Sequence, residues 1–435
     1  MMKPSVKNTP SSLSAFQILN LLGEKHQKPS LGQEVVTYTG SKWIPWGSDQ
    51  GTHGLFPQRI AETFQNSKTL RAVLTQKSNL VASELTTESE QLQRKIDLLC
   101  VPKGQYSLRE LIKRVALDIQ LHGEGFIKEV RHIEYAGSTP VKERSFAQHV
   151  DATNVRMASN VDDDLMPVAV FVSKNWEHYT RKEYRPEEIP IYGNGYNFEE
   201  NEEGLVIRKT CIHRISDFEP GMQVYGRGNH TSAYWDSVLE SILPRWNYTH
   251  LMNSIHLSGI LNVELPFAPD DDTANELRDK IREQLKGENA FGPSTPVNIT
   301  GGDGKLSLLQ YSLPQEGAFR DLTRTCERNI IMSCGWHPSL MGVAEPGQLG
   351  NVREVENHHK RAMEHEIIPL QEKVMETYLK TLYGTDYYEL AKNAPIVFHN
   401  KPLYTPLDYV SENKLDNIIP DSVILDELGL TDDNS

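Results

Sequence analysis

The sequence predicts an α+β fold, on three observations. Apolar residues recur at helical spacing in several separate stretches, the longest being 232–257 and 352–382. Between residues 126 and 215 the chain carries alternating or β-branched runs, cut by Gly, Pro and acidic loops. A strand, helix, strand, strand succession stands at 259–313, between two helical stretches.

The elements follow in order. Residues 1–28 are mostly polar with a short apolar patch, Phe16–Leu22, and Trp43–Phe56 (WIPWGSDQGTHGLF) is a Gly- and aromatic-rich, loop-like opening. Pro57–Glu84 sets Ile60, Phe64, Leu70, Val73, Leu74 and Leu80 at helical spacing, and a polar stretch and Leu98–Val101 follow. Ser107–Glu110 (SLRE) is a capping box, because Ser can accept from the N3 amide while Glu reaches back to the cap amide, so a helix runs to about Leu121. Gly123 and Gly125 stop it, and Phe126–His132 alternates as a strand. Val168–Val172, Trp176–Tyr184 and Leu205–Ile215 carry further strand signals, with Phe198–Gly204 (FEENEEG) as an acidic loop.

Ser232–Leu257 returns to helical spacing, with Trp235, Val238, Leu239, Ile242, Trp246, Leu251 and Ile255 on one apolar face and Pro244 inside it as a kink. Gly259 ends this helix. Ile260–Leu265 reads as a strand, Asp270, Asp271 and Asp272 lead into a charged helix at Thr273–Lys286, where acids suit the N-terminus, and Pro296–Thr300 and Leu306–Tyr311 read as a β-hairpin across Gly301–Gly304. Helix resumes at about Gly317, with Phe319, Leu322, Cys326, Ile330 and Ile331 on a stripe, and stops at Gly335 before Pro338. Val343–Asn351 (VAEPGQLGN) has the Gly and Pro of a mobile loop. A long helix of roughly 45 Å then covers Val352–Leu382, with Val355, His359, Ala362, Ile367, Leu370, Val374, Tyr378 and Leu382 on its stripe and a bend at Pro369. No internal repeat is visible.

Composition excludes several functions. With 435 residues there is room for two to four compact units at roughly 100–200 residues each. Acids number 59 against 45 bases, a net charge of -14, which disfavours a generally basic surface that clamps duplex DNA. Half of that charge lies in the tail 405–435, which holds eight acids and one lysine. Such a tail reads as a solvated end. The four cysteines, Cys100, Cys211, Cys326 and Cys334, are too few and too widely spaced for a disulfide framework or a CxxC zinc site. The N-terminus lacks a secretory signal and no run of about 18 apolar residues occurs, so the expected protein is soluble, made inside a cell and without a membrane partner.

Candidate chemistry is thin. His358, His359, Glu364 and His365 (HHKRAMEH) invite a metal reading, yet a zinc helix wants His at i and i+4, and the partners at that spacing are Ala362 and Met363. Solvated or interfacial histidines account for them. Cys334 and His337 (CGWH) have no third partner and no oxyanion motif, so packing is the better account. GGDG at 301–304 lacks the Lys and Ser/Thr of a P-loop. Asp162–Asp164 and Asp270–Asp272 are consecutive runs whose side chains diverge, as expected of a loop and a helix N-terminus rather than of nuclease carboxylates. Catalytic residues, metal ligands and cofactors are therefore all read as none.

The order of elements resembles the portal protein of tailed bacteriophages, and five local patterns carry the resemblance. WIPWGSDQGTHGLFP is similar to the family's opening segment, and CVPKGQYSLRELIKRVALDIQLHGEGFIKEV to its helix, Gly-turn and strand. CIHRISDFEPGMQVYGRGNHTSAYWDSVLESI resembles the strand, turn and YG-x-(G/S) start of its long helix. FRDLTRTCERNIIMSCGWHPSLMG and NVREVENHHKRAMEHEIIPLQEKVMETYL resemble its returning helix and its Ile-Pro-bent helix. The chain departs from the family's usual Gly-Asn-Ala turn with Gly123, Glu124 and Gly125, and carries an acidic hairpin near Glu199–Glu203.

The resemblance implies a portal fold with an N-terminal arm (1–56), an α+β wing (57–231), stem helices (232–258 and 314–342) around a β-α-β-β clip (259–313), a tunnel loop (343–351), a long kinked helix with wing return (352–404) and an acidic crown or tail (405–435). It implies a closed ring of about twelve copies at one capsid vertex of a virion, assembled in the host cytoplasm. DNA is packaged through this ring by the terminase motor and later ejected through it. Expected partners are the terminase large subunit, major capsid and scaffold proteins, a head-tail adaptor, and double-stranded DNA in the channel. The clip, with Asp270, Asp271, Asp272, Glu276 and Arg278, would face terminase or adaptor. In the tunnel loop Gly347 and Gly350 would be hinges, while Glu345, Gln348 and Asn351 would offer polar contacts without a fixed cation to trap phosphate. Another virion structural protein (an adaptor or minor head protein) and, further off, a metal-dependent hydrolase are the alternatives.

Overall fold

The structure, a computed structural model, describes residues 42–46, 54–97, 107–136, 139–160, 166–200, 206–220, 224–252, 259–266, 270–285, 297–301, 305–310, 316–342 and 352–402. In chain order these hold α1 (Phe56–Asn66), α2 (Lys68–Val81), β1 (Glu84–Thr86), α3 (Glu90–Asp97), α4 (Leu108–His122), β2 (Glu124–Ala136), β3 (Thr139–Val150), β4 (Val155–Met157), β5 (Ala169–Val172), β6 (Glu187–Pro190), β7 (Asn197–Glu200) and β8 (Val206–Ser216). Then come α5 (Tyr234–Met252), β9 (Gly259–Leu265), α6 (Asp271–Leu285), β10 (Val297–Gly301), β11 (Leu306–Gln310) and α7 (Glu316–Ser333). The chain continues through α8 (Val352–Ala362), a π-helical turn (Met363–Ile367), α9 (Ile368–Thr381), α10 (Asp386–Asn393) and β12 (Val397–His399). Helix and sheet are mixed without strict alternation, and the fold is α+β.

The main core is made where α1, α2 and α4 meet α7 and α9: Ile60, Leu70, Val73, Leu111, Val115, Ile330, Ile331, Val374 and Tyr378 are all buried there. At about 1.5–3 kcal/mol for each fully buried large apolar side chain, this cluster is the principal source of stability. A four-stranded antiparallel sheet in the order β3-β2-β8-β7 lies beside it, and β4-β5-β6 form a second antiparallel sheet. Ile44, Trp46, Phe126, Met157, Val170, Ile212 and Tyr225 fill the space between the two sheets. β1 pairs with β12, tying residues 397–399 back to the helical body.

The helix at 107 carries half of the expected capping box: the Ser107 hydroxyl accepts from Glu110 N at 3.4 Å, while the Glu110 carboxylate pairs forward with Arg114 at 2.8 Å instead of back with the cap amide. The helical spacing of Pro57–Glu84 is met by two helices, split where Ser67 takes an extended conformation and accepts from Leu70 N as the cap of α2. Several expectations are corrected. Trp176–Tyr184 is a run of turns rather than a strand; Asn175 Oδ1 accepts from the amides of Glu177 and His178, and Trp176 and Tyr179 are drawn into an aromatic cluster with Trp43. Phe198–Glu200 belongs to β7 rather than to a loop, held against β8 by the Glu199–Arg208 pair at 2.7 Å. Strand β3, which carries few apolar residues, escapes the sequence pattern and is recruited by its register with β2. The apolar face read on 232–257 is rotated: Tyr234, Val238 and Leu243 are buried, but Trp235 is 41% exposed.

Candidate functional site

Helices α5 and α7 are antiparallel neighbours. Asn329 Nδ2, near the end of α7, donates to Asp236 Oδ1 near the start of α5 at 3.0 Å. The β9-α6-β10-β11 unit therefore springs from the far end of this helix pair. Its strands do not form the expected hairpin. β9 takes the centre, with β10 parallel to it on one side and β11 antiparallel on the other. The helix α6 spans enough length to return the chain for a parallel pairing, which a tight turn cannot do, and the residues 302–304 of the expected turn lie outside the described set.

Among the described side chains of this unit only Ile299 is buried, while Val263, Leu265, Leu277 and Ile281 are half-exposed. Asp270, Asp271, Asp272 and Glu276 are exposed and Arg278 is half-exposed with its guanidinium on Asn275 Oδ1 at 2.7 Å. Asp270 precedes the first turn of α6, and its hydrogen bond to the Thr273 side chain holds its carboxyl below the usual range. The structure thus gathers these five predicted residues on one small, thinly cored unit.

Glu345, Gly347, Gln348, Gly350 and Asn351, with the rest of 343–351, lie outside the described residues, but both flanks are in view. Pro338–Met341 forms a helical turn, and His337 stacks on His358 with ring centroids 3.5 Å apart. Ser339 Oγ bonds His337 Nδ1 at 2.8 Å and His358 Nδ1 at 3.2 Å, so the chain before the segment is fastened to the helix after it. Helix α2 braces the same place: Gln76 Nε2 donates to Leu340 O, and Lys77 Nζ reaches Cys334 O at 2.7 Å and Glu366 at 2.9 Å. His358 is thus employed at this junction, and burial lowers the pKa of His359. Cys334 is buried and its thiol is pushed up to about 11 by desolvation, the opposite of an activated nucleophile. Asp162–Asp164 lie outside the described residues.

The opening, Gly-turn and YG patterns meet in space. Tyr225 stacks on Trp46 at 4.3 Å, donates to Ile44 O at 2.6 Å and accepts from Met157 N at 2.8 Å. Gly123 ends α4 with φ 72°, and a Cβ at Gly226 would lie 2.2 Å from Gly123 O. Glu124 is fully buried in the same turn, its carboxylate accepting from Arg214 at 2.6 and 2.9 Å, from Ser216 Oγ at 2.7 Å and from Gly226 N at 2.6 Å. Buried Arg156 is held by the carbonyls of Gly54, Thr153 and Val155 and lies 4.9 Å from the Trp176 ring; desolvation lowers its pKa to about 10.

No protein-family model matches the chain, and no curated protein matches it. Among solved structures, a chain from the virion of a native gene transfer agent particle aligns at TM-score 0.47 and 14% identity, over 86% of this chain and 94% of that one. A chain from the neck of the native particle, computed with C12 symmetry, aligns at TM-score 0.46 and 15% identity over the same shares. An HK97-family phage portal protein from Corynebacterium diphtheriae aligns at TM-score 0.45 and 11% identity, over 81% of this chain and 97% of that one. The chain is similar to phage portal and particle-neck structures. At these scores the likeness is one of shape and assigns no residue a role.

No buried ionisable site is legible in the sequence. Among the described residues the one group of three potential metal donors is Glu129, Cys211 and His213, from strands β2 and β8. A Cys-x-His pair on a strand signals two donors on one face, but the glutamate comes from 82 residues away and only the sheet register supplies it. No described helix is long and apolar enough to cross a membrane.

Proposed function

We propose that the protein is a portal: a ring-forming virion protein through which DNA is packaged and ejected. The observation that carries this reading is the antiparallel α5–α7 pair bearing the β9-α6-β10-β11 unit at its far end, followed by residues 343–351 and the helices α8 and α9 joined through a π-turn. That is the order in which the resembling sequence patterns expect stem, clip, tunnel loop and kinked helix. A unit with a single buried side chain among those described suits an element that finishes its packing against neighbours or partners.

In this reading 57–231 is the wing, α5 and α7 are the stem, and 259–313 is the clip, with Asp270, Asp271, Asp272, Glu276 and Arg278 facing the terminase large subunit and later the head-tail adaptor. The clamp of His337, Ser339 and His358 anchors the ends of a tunnel loop whose Glu345, Gln348 and Asn351 meet passing duplex DNA, with Gly347 and Gly350 as hinges. The acidic tail 405–435 belongs to the crown. Capsid and scaffold proteins surround the ring at its vertex. No step requires catalysis or a cofactor; the work is mechanical.

Electron microscopy of the purified full-length chain tests the proposal. A ring of about twelve subunits with a central channel is expected. A monomer or small discrete oligomer, found after prolonged incubation at high concentration to allow for slow assembly, contradicts it.

A further inference from the structure

We propose that Glu129, Cys211 and His213 form a zinc-class metal site inside the β2–β8 sheet. Cys211 and His213 alternate onto the same face of β8, and Glu129 is the register partner of Cys211 on β2. All three side chains are buried. His213 Nε2 lies 2.6 Å from Glu129 Oε2, and Cys211 Sγ lies 3.6 Å from that oxygen and 3.9 Å from the histidine nitrogen. Tetrahedral zinc, with bonds of about 2.0–2.3 Å, separates its ligand atoms by about 3.3–3.6 Å. Both sulfur distances come within a few tenths of an ångström of this, and the N–O pair must open by about 0.7 Å.

Burial and the Glu129 carboxylate raise the Cys211 thiol's pKa, which the ion's charge would offset, and neighbouring side chains hold the other two donors in place. Arg131 bonds Glu129 Oε1, which leaves Oε2 directed at the other donors. Tyr192 stacks on the His213 ring at 4.4 Å and fixes its plane. The Tyr196 phenol hydrogen-bonds to Cys211, and a water would complete the tetrahedron. Stability alone does not explain the trio, because a buried charged network is commonly no better than apolar side chains of equal volume. On binding, the thiol proton leaves to solvent, the histidine carries its remaining proton on Nδ1, and thiolate and carboxylate balance the two positive charges of the ion. The ion would cross-link β2 to β8. The inference is independent of the portal reading, and either can fail without the other.

The test uses the full-length chain, purified without chelator for elemental analysis, then stripped and titrated with Zn²⁺ and with Co²⁺. The site predicts one zinc per chain and a thiolate-to-cobalt charge-transfer band that vanishes in Cys211→Ser. It also predicts zinc affinity at least about tenfold weaker in Glu129→Gln, beyond the low end of what outer partners cost, and a lower unfolding midpoint after chelation. Absence of the band in the stripped wild type overturns the proposal whether or not the variants fold. A band that persists in Cys211→Ser would belong to Cys100, Cys326 or Cys334 and would overturn it equally.

Discussion

Single residues hold the junction between the helical body and the sheets. Glu124 stands where the pattern that this turn resembles has an asparagine, and it gathers Arg214, Ser216 and the Gly226 amide on one carboxylate. Removing one partner of a buried ion pair costs about 3–5 kcal/mol, since the other charge is left uncompensated. Glu124→Ala should therefore lower the urea unfolding free energy by about that amount, and Arg214→Ala should fall in the same range while the double variant loses less than their sum. Gly123→Ala, at a left-handed position whose added Cβ would meet Arg227 N at 2.0 Å, should cost more than about 1 kcal/mol. His122 and His230 set an acid limit. Burial lowers them from 6.5 to about 3 and about 4, so both are neutral in the fold while the unfolded chain protonates them below 6.5. The unfolded state then binds more protons, and stability falls as pH drops from 6.5 toward 4, at about 1 kcal/mol per pH unit for each histidine. Urea midpoints at stepped pH, with His230→Gln showing the shallower slope, are the measurement.

At the scale of elements, the β9-α6-β10-β11 unit and the π-turned C-terminal helix behave differently. Among the described residues the unit contributes little to the core, so replacing 259–313 with a short Gly linker should leave the unfolding midpoint of the remaining chain within a few degrees by calorimetry. A large drop would show the unit to be part of the body. Changing Asp270, Asp271 and Asp272 to Asn should cost at most about 1 kcal/mol per charge at the start of α6 but weaken capture of purified terminase or adaptor, more at low salt than at high. Where a bend is expected at Pro369, the chain has a π-turn at Met363–Ile367, directly before the helix that carries the proline. Proline offers no amide and its ring crowds the carbonyl four residues back, and widening the preceding turn relieves both. The widened turn puts Glu366 against Lys77 of α2, beside the clamp at residues 337–358.

For the whole molecule, the portal reading requires that exposed apolar side chains of the helix pair, Trp235 and Met332 among them, be covered by neighbouring copies. Native mass spectrometry at micromolar concentration should show rings as the dominant species. Trp235→Asp should shift the population toward smaller species while circular dichroism stays native. Deleting Glu345–Gly350 with a short Gly linker should leave ring assembly and thermal stability nearly unchanged, because the clamp of His337, Ser339 and His358 lies outside the deletion, while DNA packaging or retention falls. Glu345→Lys would place a ring of cations in the channel, and translocation should slow most at low salt. Normal packaging by the deletion variant, assayed with motor and empty heads, would remove the tunnel-loop assignment.

The sequence by itself determined the elements whose cause is local. Ser107 and Gly123 bracket a helix through a cap and a left-handed stop, Asp271 and Asp272 open another against its dipole, and Pro369 disturbs a third. It also ordered the long helices around the inserted β-α-β-β unit, since period and punctuation suffice for that. Strand pairing was decided only by tertiary structure. Nothing local in Pro296–Tyr311 says that β9 separates β10 from β11, and nothing in Val141–Val150 says that a polar segment completes a sheet, because register depends on which face a distant core buries. The same holds for the buried chemistry. Cys211 and His213 are visible two residues apart, but Glu129, Arg131, Tyr192 and Tyr196 reach them through cross-strand pairing and a turn, so the donor set exists only once the sheet is formed.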